Sequence, residues 1–318
     1  MTARFRVAFA GPHVTVQDGG RPGLMRFGVP ASGAMDRKAL AIANLAAGNP
    51  PGAAVIEVSR GGLVLDCIER AAGFAVAGGG FVVQAGGRRL ASWQTGGIAA
   101  GEQLVIRPGH WGSWCCLAFA GGLEAPEWLG ARATHGPSGL GGGRLAAGQV
   151  LQVSSPRTVE PRRLPCPVWA RPRQLISVVM GPQDRFFSIE AQADFLRRPF
   201  TVTEAGDRMG LRLSGPALPP EGALAIPSEP VMRGSVQVSG DGVATVLLAD
   251  HQTTGGYPKI ATLLDDDTDG LVQTRPGDAL RFQAVTPEAA VALARTRAAA
   301  VARYLAALQA RPAEPLSP

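Results

Sequence analysis

Lysine is almost missing from this chain. Of 318 residues only Lys38 and Lys259 are lysines, against 29 arginines. A P-loop requires G-x-x-x-x-G-K-[ST], with its lysine reaching the phosphates. Lys38 follows Arg37 and Lys259 follows Pro258, so neither fits. Neither lysine stands between methionines, as a biotinylated lysine would. ATP in a P-loop and biotin carried on this chain are therefore excluded. Cysteine is also scarce. Cys67, Cys115, Cys116 and Cys166 form no C-x-x-C pair, so no zinc framework is expected and no metal site is assigned. No stretch approaches 18 apolar residues, which argues against a membrane helix. The opening MTARFRVAF lacks the apolar core of a signal peptide. The expectation is a cytoplasmic protein with free thiols.

Charge is low at 18% and aromatics are few at 6%, while apolar residues reach 46%. That balance excludes a disordered chain. Net charge is +6. The arginines are dispersed and aromatics do not interleave with them, so no nucleic-acid partner is expected.

Glycine and proline are abundant, at 42 and 26 residues. Such punctuation opposes a helical bundle. Short apolar runs bounded by Gly or Pro predict strands at 53–58, 80–84, 103–107, 149–153, 175–180, 243–249 and 279–285. A repeat, G-[EQD]-x-L-x-[IVF], begins at Gly101, Gly148 and Gly277. Each copy reads as a tight turn feeding a strand with two apolar residues on one face. Uneven spacing favours barrels or sandwiches over a solenoid. Helices are predicted at 36–47 with Asp36 as N-cap, at 188–196, and from Thr286-Pro287 to about Gln309. Residues 154–174 hold five prolines and five arginines and read as a stiff, solvated connector. The expected organisation is an N-terminal β-domain over 1–153, a linker over 154–174, a C-terminal β-domain over 175–286, and a helix with a disordered tail over 287–318.

Several polar runs are candidates for chemistry. Asp18 and Arg21 share a turn-rich loop, where they can pair with each other or bind an anion. Ser32 precedes the first helix, where an anion site and simple capping are both open readings. Asp207 and Arg208 flank a strand, and Glu229 and Gln237 sit in another polar turn–strand unit. The densest run is Asp250-His251-Gln252-Thr253-Thr254-Gly255-Gly256-Tyr257-Pro258-Lys259, after an apolar strand. Gly255 and Gly256 allow close backbone approach, and their N–H groups with Thr253 and Thr254 suit a developing oxyanion. Asp250 suits an amide or a proton. Lys259 suits a carboxylate or a polarised carbonyl. A polar hairpin loop remains the competing reading. Asp265–Asp269 lacks an EF-hand pattern and reads as a solvated loop. Gly139–Arg144 reads as a flexible loop, and Lys38 as a solvated helix residue.

Taken in order, TVQDGGRPG, GVPASGAMDRKALAIANLAAGNP, AFAGGL, GPQ, DRMGLRL, SEPVMRGSVQV and DHQTTGGYPKIATL resemble the biotin-dependent carboxyltransferase/allophanate hydrolase subunit 2-like family. The resemblance runs from about Val14 to Val285. The family includes the C subunit of 5-oxoprolinase, Kip-type antagonists of a kinase inhibitor, and the carboxyltransferase region of urea carboxylase. It implies a mainly β fold of two cyclophilin-like barrels with few short helices and a C-terminal helix. It also implies a partner, the B subunit of 5-oxoprolinase or a kinase-inhibitor homologue. The A subunit of the same enzyme and a small amide substrate complete the expected set. In the first reading the complex uses ATP to hydrolyse a cyclic amide. In a second, CO₂ moves to urea or a related amide from biotin on a partner. In a third, the chain is a non-catalytic regulator. In the first reading Lys259 and Arg208 are expected to hold a carboxylate or phosphate, Asp250 and Glu229 to orient the amide nitrogen or water, and Gln252, Gln237 and Tyr257 to line the pocket. The sequence departs from the family pattern at 134–143 and is more acidic than usual at 265–269.

Overall fold

The computed structural model describes residues 1–222 and 226–310. The expected disordered tail, 311–318, lies outside the described residues. The chain is mainly β. It divides into two compact units: one of Met1–Arg21, Ser32–Arg171 and the chain from Ala302, the other of Pro22–Ala31 and Pro172–Val301.

The first unit contains β1 (Thr2–Ala10), β2 (Thr15–Gln17), helix α1 (Arg37–Ala46), β3 (Val55–Ser59), β4 (Leu63–Glu69), β5 (Ala72–Ala77), β6 (Val82–Ala85), β7 (Arg88–Ala91), β8 (Gln94–Ile98), β9 (Gln103–Arg107), β10 (Trp114–Phe119), β11 (Gly122–Glu124) and β12 (Val150–Ser154). A seven-stranded sheet runs β11-β12-β1-β4-β9-β6-β7, and a five-stranded sheet runs β2-β3-β10-β5-β8. The two sheets share one core, which includes Phe5, Leu65 and Ile106 from the first and Ile56, Phe74, Leu117 and Phe119 from the second. The side-chain period of two explains the other face of the five-stranded sheet. Val55, Ala75, Ala77, Cys116 and Ala118 alternate with those core residues and meet Leu40, Ile42 and Ala43 of α1. Small side chains on that face let the helix approach. Asp36 caps α1, its Oδ1 accepting from the Ala39 N–H at 2.9 Å.

The stretch 154–174 is not free connector. The Gly73 N–H donates to the Arg157 carbonyl, the Thr95 N–H to the Arg162 carbonyl, and the Leu164 N–H to the Trp93 carbonyl. Its prolines leave enough N–H and C=O groups to serve the edge of β8. Lys38 also departs from expectation: its ammonium lies over the Trp169 ring, 5.2 Å from the centroid. Residues 139–144 are held as well. The Gly142 N–H donates to Arg132, the Val16 N–H to Gly143, and the His135 N–H to Leu140.

The second unit holds β13 (Leu175–Met180), α2 (Ile189–Arg197), β14 (Phe200–Gly206), β15 (Gly210–Ser214), β16 (Glu229–Pro230), β17 (Ser235–Val238), β18 (Ala244–Leu247), β19 (Thr254–Gly255), β20 (Lys259–Leu263), α3 (Asp265–Leu271), β21 (Ala279–Ala284) and the start of α4 (Pro287–Ala310). A closed barrel runs β13-β20-β17-β18-β15-β14-β21, and β16 pairs with β19 beside it. Ile176, Val178, Val236, Val238, Val246, Leu213 and Phe282 are buried at 0–2% exposure.

The turn repeat appears in both units. Gly101, Gly148 and Gly277 have φ of 86°, 88° and 90°, the left-handed region that favours glycine. The next residue closes the turn: Glu102 accepts from the Ala99 N–H at 2.8 Å, Gln149 from Ala146 at 3.2 Å, and Asp278 from Arg275 at 2.8 Å. That acceptor explains the Glu, Gln or Asp at this position. The paired apolar residues that follow, Leu104/Ile106, Leu151/Val153 and Leu280/Phe282, are all buried.

The Asp-rich run is not a solvated loop. It forms α3, with Asp267 fully buried. Asp267 is 2.5 Å from Arg173 and 3.0 Å from Arg297, and it accepts from the Ser177 N–H at 3.0 Å. Arg233 bridges Asp265 at 3.2 Å and Asp269 at 3.0 Å. Arginines 30 to 94 positions away supply the counter-charges that local reading cannot find.

Candidate active site

The sequence candidates divide between the units. Asp18, Arg21 and Ser32 belong to the first. Asp18 accepts from the Gly20 N–H at 2.8 Å and from the Arg132 N–H at 2.5 Å, so its carboxylate ties two loops together. Arg21 is 3% exposed. It donates to the Trp128 and Ala133 carbonyls, and its guanidinium lies 4.6 Å from the centre of the Trp128 ring. Ser32 has φ of 54° and does not cap α1, because Asp36 does.

The remaining candidates lie in the second unit. β18 ends at Leu247 and delivers Asp250 into the interior. Arg208 meets it in a bidentate pair, Nε to Oδ2 at 2.8 Å and Nη2 to Oδ1 at 3.1 Å. Their side chains are 3% and 0% exposed. The Asp250 N–H also donates to the Arg208 carbonyl at 2.8 Å. The Arg208 fork, expected to hold a substrate anion, is engaged by Asp250. Asp250, expected to take a proton or orient an amide, is the buried counter-ion of that arginine. Both therefore read as a strut between β15 and the 250–259 run.

Lys259 stands differently. It opens β20 opposite Gln237 of β17, at a register shift in that pairing. Its side chain is 4% exposed, and among the described residues its ammonium meets the Glu229 carboxylate at 3.4 Å. Glu229 is 42% exposed. A buried ammonium has three donors to satisfy, and one long contact leaves capacity for an anionic oxygen. Glu229 is set by the β16–β19 pair, where it lies opposite Gly255. Gly255 in turn covers Gln237: a Cβ there would sit 2.6 Å from the Gln237 amide nitrogen. A side chain at 255 would have to displace that amide, and the ladder position of Gly255 differs from the free oxyanion donor expected. Thr254 pairs with Pro230, and the Thr253 carbonyl accepts from the Val231 N–H at 3.1 Å. The ideal Cβ of Gly256 lies 3.3 Å from the Ile226 carbonyl.

Gln237 and Gln252 form an amide pair, Gln252 Nε2 donating to Gln237 Oε1 at 3.0 Å. With Tyr257, Asp207, Arg212 and Thr245 they line a cleft of about 370 Å³. Alternation along the barrel explains it: Val236, Val238 and Val246 turn inward, so Gln237 and Thr245 turn to the other face. His251 is 3% exposed, and its Nδ1 lies 2.6 Å from the Gln252 carbonyl. Burial pushes its pKa down, partly opposed by that hydrogen bond. Among the described residues no cluster of His, Cys, Asp and Glu could hold a metal ion.

Sequence reasoning missed Gln183. It is 2% exposed, its Nε2 donates to Glu229 Oε1 at 2.5 Å, and its Oε1 accepts from the Lys259 N–H at 2.9 Å. The GPQ segment held the signal, but no spacing tied it to residues 46 and 76 positions away.

Comparison with known proteins identifies the chain as a carboxyltransferase domain. The chain belongs to that family: the model for the carboxyltransferase domain, subdomain A and B, matches residues 27–284. The C subunit of the Haemophilus influenzae 5-oxoprolinase is 34% identical over 286 residues, covering 88% of this chain and 91% of that one. Its Escherichia coli counterpart is 32% identical, covering 87% and 90%. The urea amidolyase of Lachancea kluyveri is 29% identical over 93% of this chain but only 18% of its own length. Among solved structures, TTHA0988 superposes with a TM-score of 0.79 at 35% identity, covering 88% of this chain and 56% of that one. This chain thus spans little more than half of TTHA0988. The Kluyveromyces lactis urea carboxylase gives 0.84 at 24% identity over 95% of this chain and 29% of that one, a likeness of fold.

Proposed function

We propose that this chain is the C subunit of a 5-oxoprolinase, an enzyme complex that opens a cyclic amide. One observation carries the choice within the family. The C subunits of the two 5-oxoprolinases are matched over nine-tenths of their own length, the urea amidolyase over less than a fifth. With the A and B subunits, the reaction converts 5-oxoproline, ATP and two waters to glutamate, ADP and phosphate. The ring C–N bond breaks, and the amine leaves with a proton from water.

An amide is a poor electrophile, so its oxygen must be phosphorylated or polarised and the resulting anion stabilised. ATP is the phosphoryl donor of the complex. Lys259 offers a buried ammonium to a carboxylate or phosphoryl oxygen. Glu229, half open, moves a proton between water and the ring nitrogen. A lactam presents N–H and C=O on one edge, and the side-chain amide of Gln252 has the complementary donor and acceptor. Gln237 fixes that amide, and Tyr257 and Arg212 border the substrate.

Mixing the purified chain with the A and B subunits tests the reading. ATP-dependent glutamate release that requires all three is expected. Bicarbonate-dependent carboxylation of urea with a biotin carboxylase, and no glutamate release, would replace it by the carboxyltransferase reading.

A further inference from the structure

We infer that Gln183 is a positioning residue, acting through Glu229 and resting on the reading of Lys259 and Glu229 as the reacting pair. Glu229 needs such a residue. It sits on a two-residue strand whose ladder partner, β19, also has two residues. Its side chain is 42% exposed. A glutamate so placed has several rotamers open to it, and a 3.4 Å contact to one ammonium does not select among them.

Gln183 supplies what is missing, and its own position is fixed. Its backbone N–H donates to the Lys259 carbonyl at 3.1 Å, and its Oε1 accepts from the Lys259 N–H at 2.9 Å. It is thereby clamped to the backbone that carries the ammonium. That orientation leaves Nε2 aimed outward, and it donates to Glu229 Oε1 at 2.5 Å. The other carboxylate oxygen, Oε2, is the one facing Lys259. One buried amide thus ties the carboxylate to the main chain of its cationic partner. Glu229 presents the same oxygen to Lys259 and the same edge to solvent in each turnover. Gln183 itself touches no substrate.

A double-mutant cycle separates positioning from mere structure. In the complex reconstituted from all three proteins, Gln183→Met removes the donor at similar volume, and Glu229→Gln removes the carboxylate. Gln183→Met should lower kcat about 10- to 100-fold, the effect of losing a hydrogen bond to a charged group, with KM held within about threefold. Glu229→Gln should lower it more. The double variant should match Glu229→Gln alone, because the residue acts only through that carboxylate. Losses that multiply would overturn the inference while leaving the pair catalytic. Full activity of Glu229→Gln would overturn both the inference and the site reading beneath it.

A second measurement needs neither partners nor substrate. With two lysines in the chain, selective ¹³Cε-lysine labelling gives two signals. Gln183→Met and Glu229→Gln should each move the Lys259 signal and leave that of Lys38 in place. A Lys259 signal unmoved by Gln183→Met would count against the proposal even if the complex showed no oxoprolinase activity.

Discussion

Arg208 and Lys259 are both cations buried in the second unit, but their counter-charges sit in opposite surroundings. Arg208 meets a carboxylate that is 0% exposed, through two bonds of 2.8 and 3.1 Å. Lys259 meets one that is 42% exposed, at 3.4 Å. The first pair is joined by two short bonds and is shut off from solvent. The second is a buried charge with an open side. Charge and burial alone do not mark a site; unfilled coordination next to a cleft does. The sequence offered both pairs on equal terms, since all four residues fall in polar runs of similar appearance.

The closed pair gives the largest expected effect. Asp250→Ala leaves the Arg208 guanidinium buried beside an empty position and should cost about 3–5 kcal/mol in urea unfolding. Replacing both partners, Arg208→Met with Asp250→Leu, should recover most of that stability, because an apolar pair carries no desolvation penalty. The comparison breaks if the double variant folds well, assembles with its partners and is inactive. Arg208 or Asp250 would then have a part in the chemistry.

Lys259→Met comes next and should act on rate instead. Loss of a donor to a developing anion lowers kcat by about 10²–10³-fold. The urea midpoint should change far less than for Asp250→Ala, since the freed Glu229 is half in water. Lys259→Arg should not restore activity, because a planar fork cannot occupy the site of a point charge. Glutamate release and unfolding, measured on the same preparations, decide this. A variant that unfolds but retains its specific activity would reverse the assignments of the two pairs.

Much of the fold was legible in advance. The limits of β9 and β13 match the sequence expectation residue for residue, and the turn repeat located β9, β12 and β21 together. What was lost is instructive. β5 (AGFAVA) and β10 (WCCLAF) are as fully buried as β3, but with one β-branched residue between them they lack the Val and Ile that mark β3 as a strand. α3 was lost because Asp265–Asp269 looks hydrophilic until Arg173, Arg233 and Arg297 are brought to it. The site was half legible. The run ending in Lys259 was visible because its polar residues are contiguous. Gln183 was not, because a lone glutamine after Gly-Pro has no local signature and acquires meaning only through contacts formed on folding. Arg208 and Asp250 could be listed as polar but not recognised as mutually closed.

Gln252 extends the comparison from ions to neutral groups. Its amide nitrogen donates to Gln237, and the cleft is open beside it. Gln252→Leu keeps the volume and removes the donor and acceptor facing the lactam edge. The expected result is a rise in KM on the order of tenfold with kcat nearly kept, as for a contact made equally in ground and transition states. A fall in kcat at constant KM would instead place the amide in the transition state.

The smallest effect belongs to His251, which is buried beside Asp250 but titrates. Burial lowers its pKa from the ordinary 6.5, and the Gln252 carbonyl and Asp250 only partly oppose this. The unfolded chain therefore binds the proton more readily. The stability carried by the neutral ring is fully present above about pH 6.5 and is lost as pH falls from there toward the folded value. The Nδ1 contact of 2.6 Å to the Gln252 carbonyl fits a neutral ring donating from that nitrogen. His251→Gln keeps a donor for the carbonyl and removes the titration. Thermal melts between pH 8 and pH 5 should show a shallower acid limb in the variant, while the two proteins differ little in slope above pH 7. Parallel limbs would mean that His251 keeps its ordinary affinity for the proton. The Arg208–Asp250 strut would then screen the position more strongly than its burial implies.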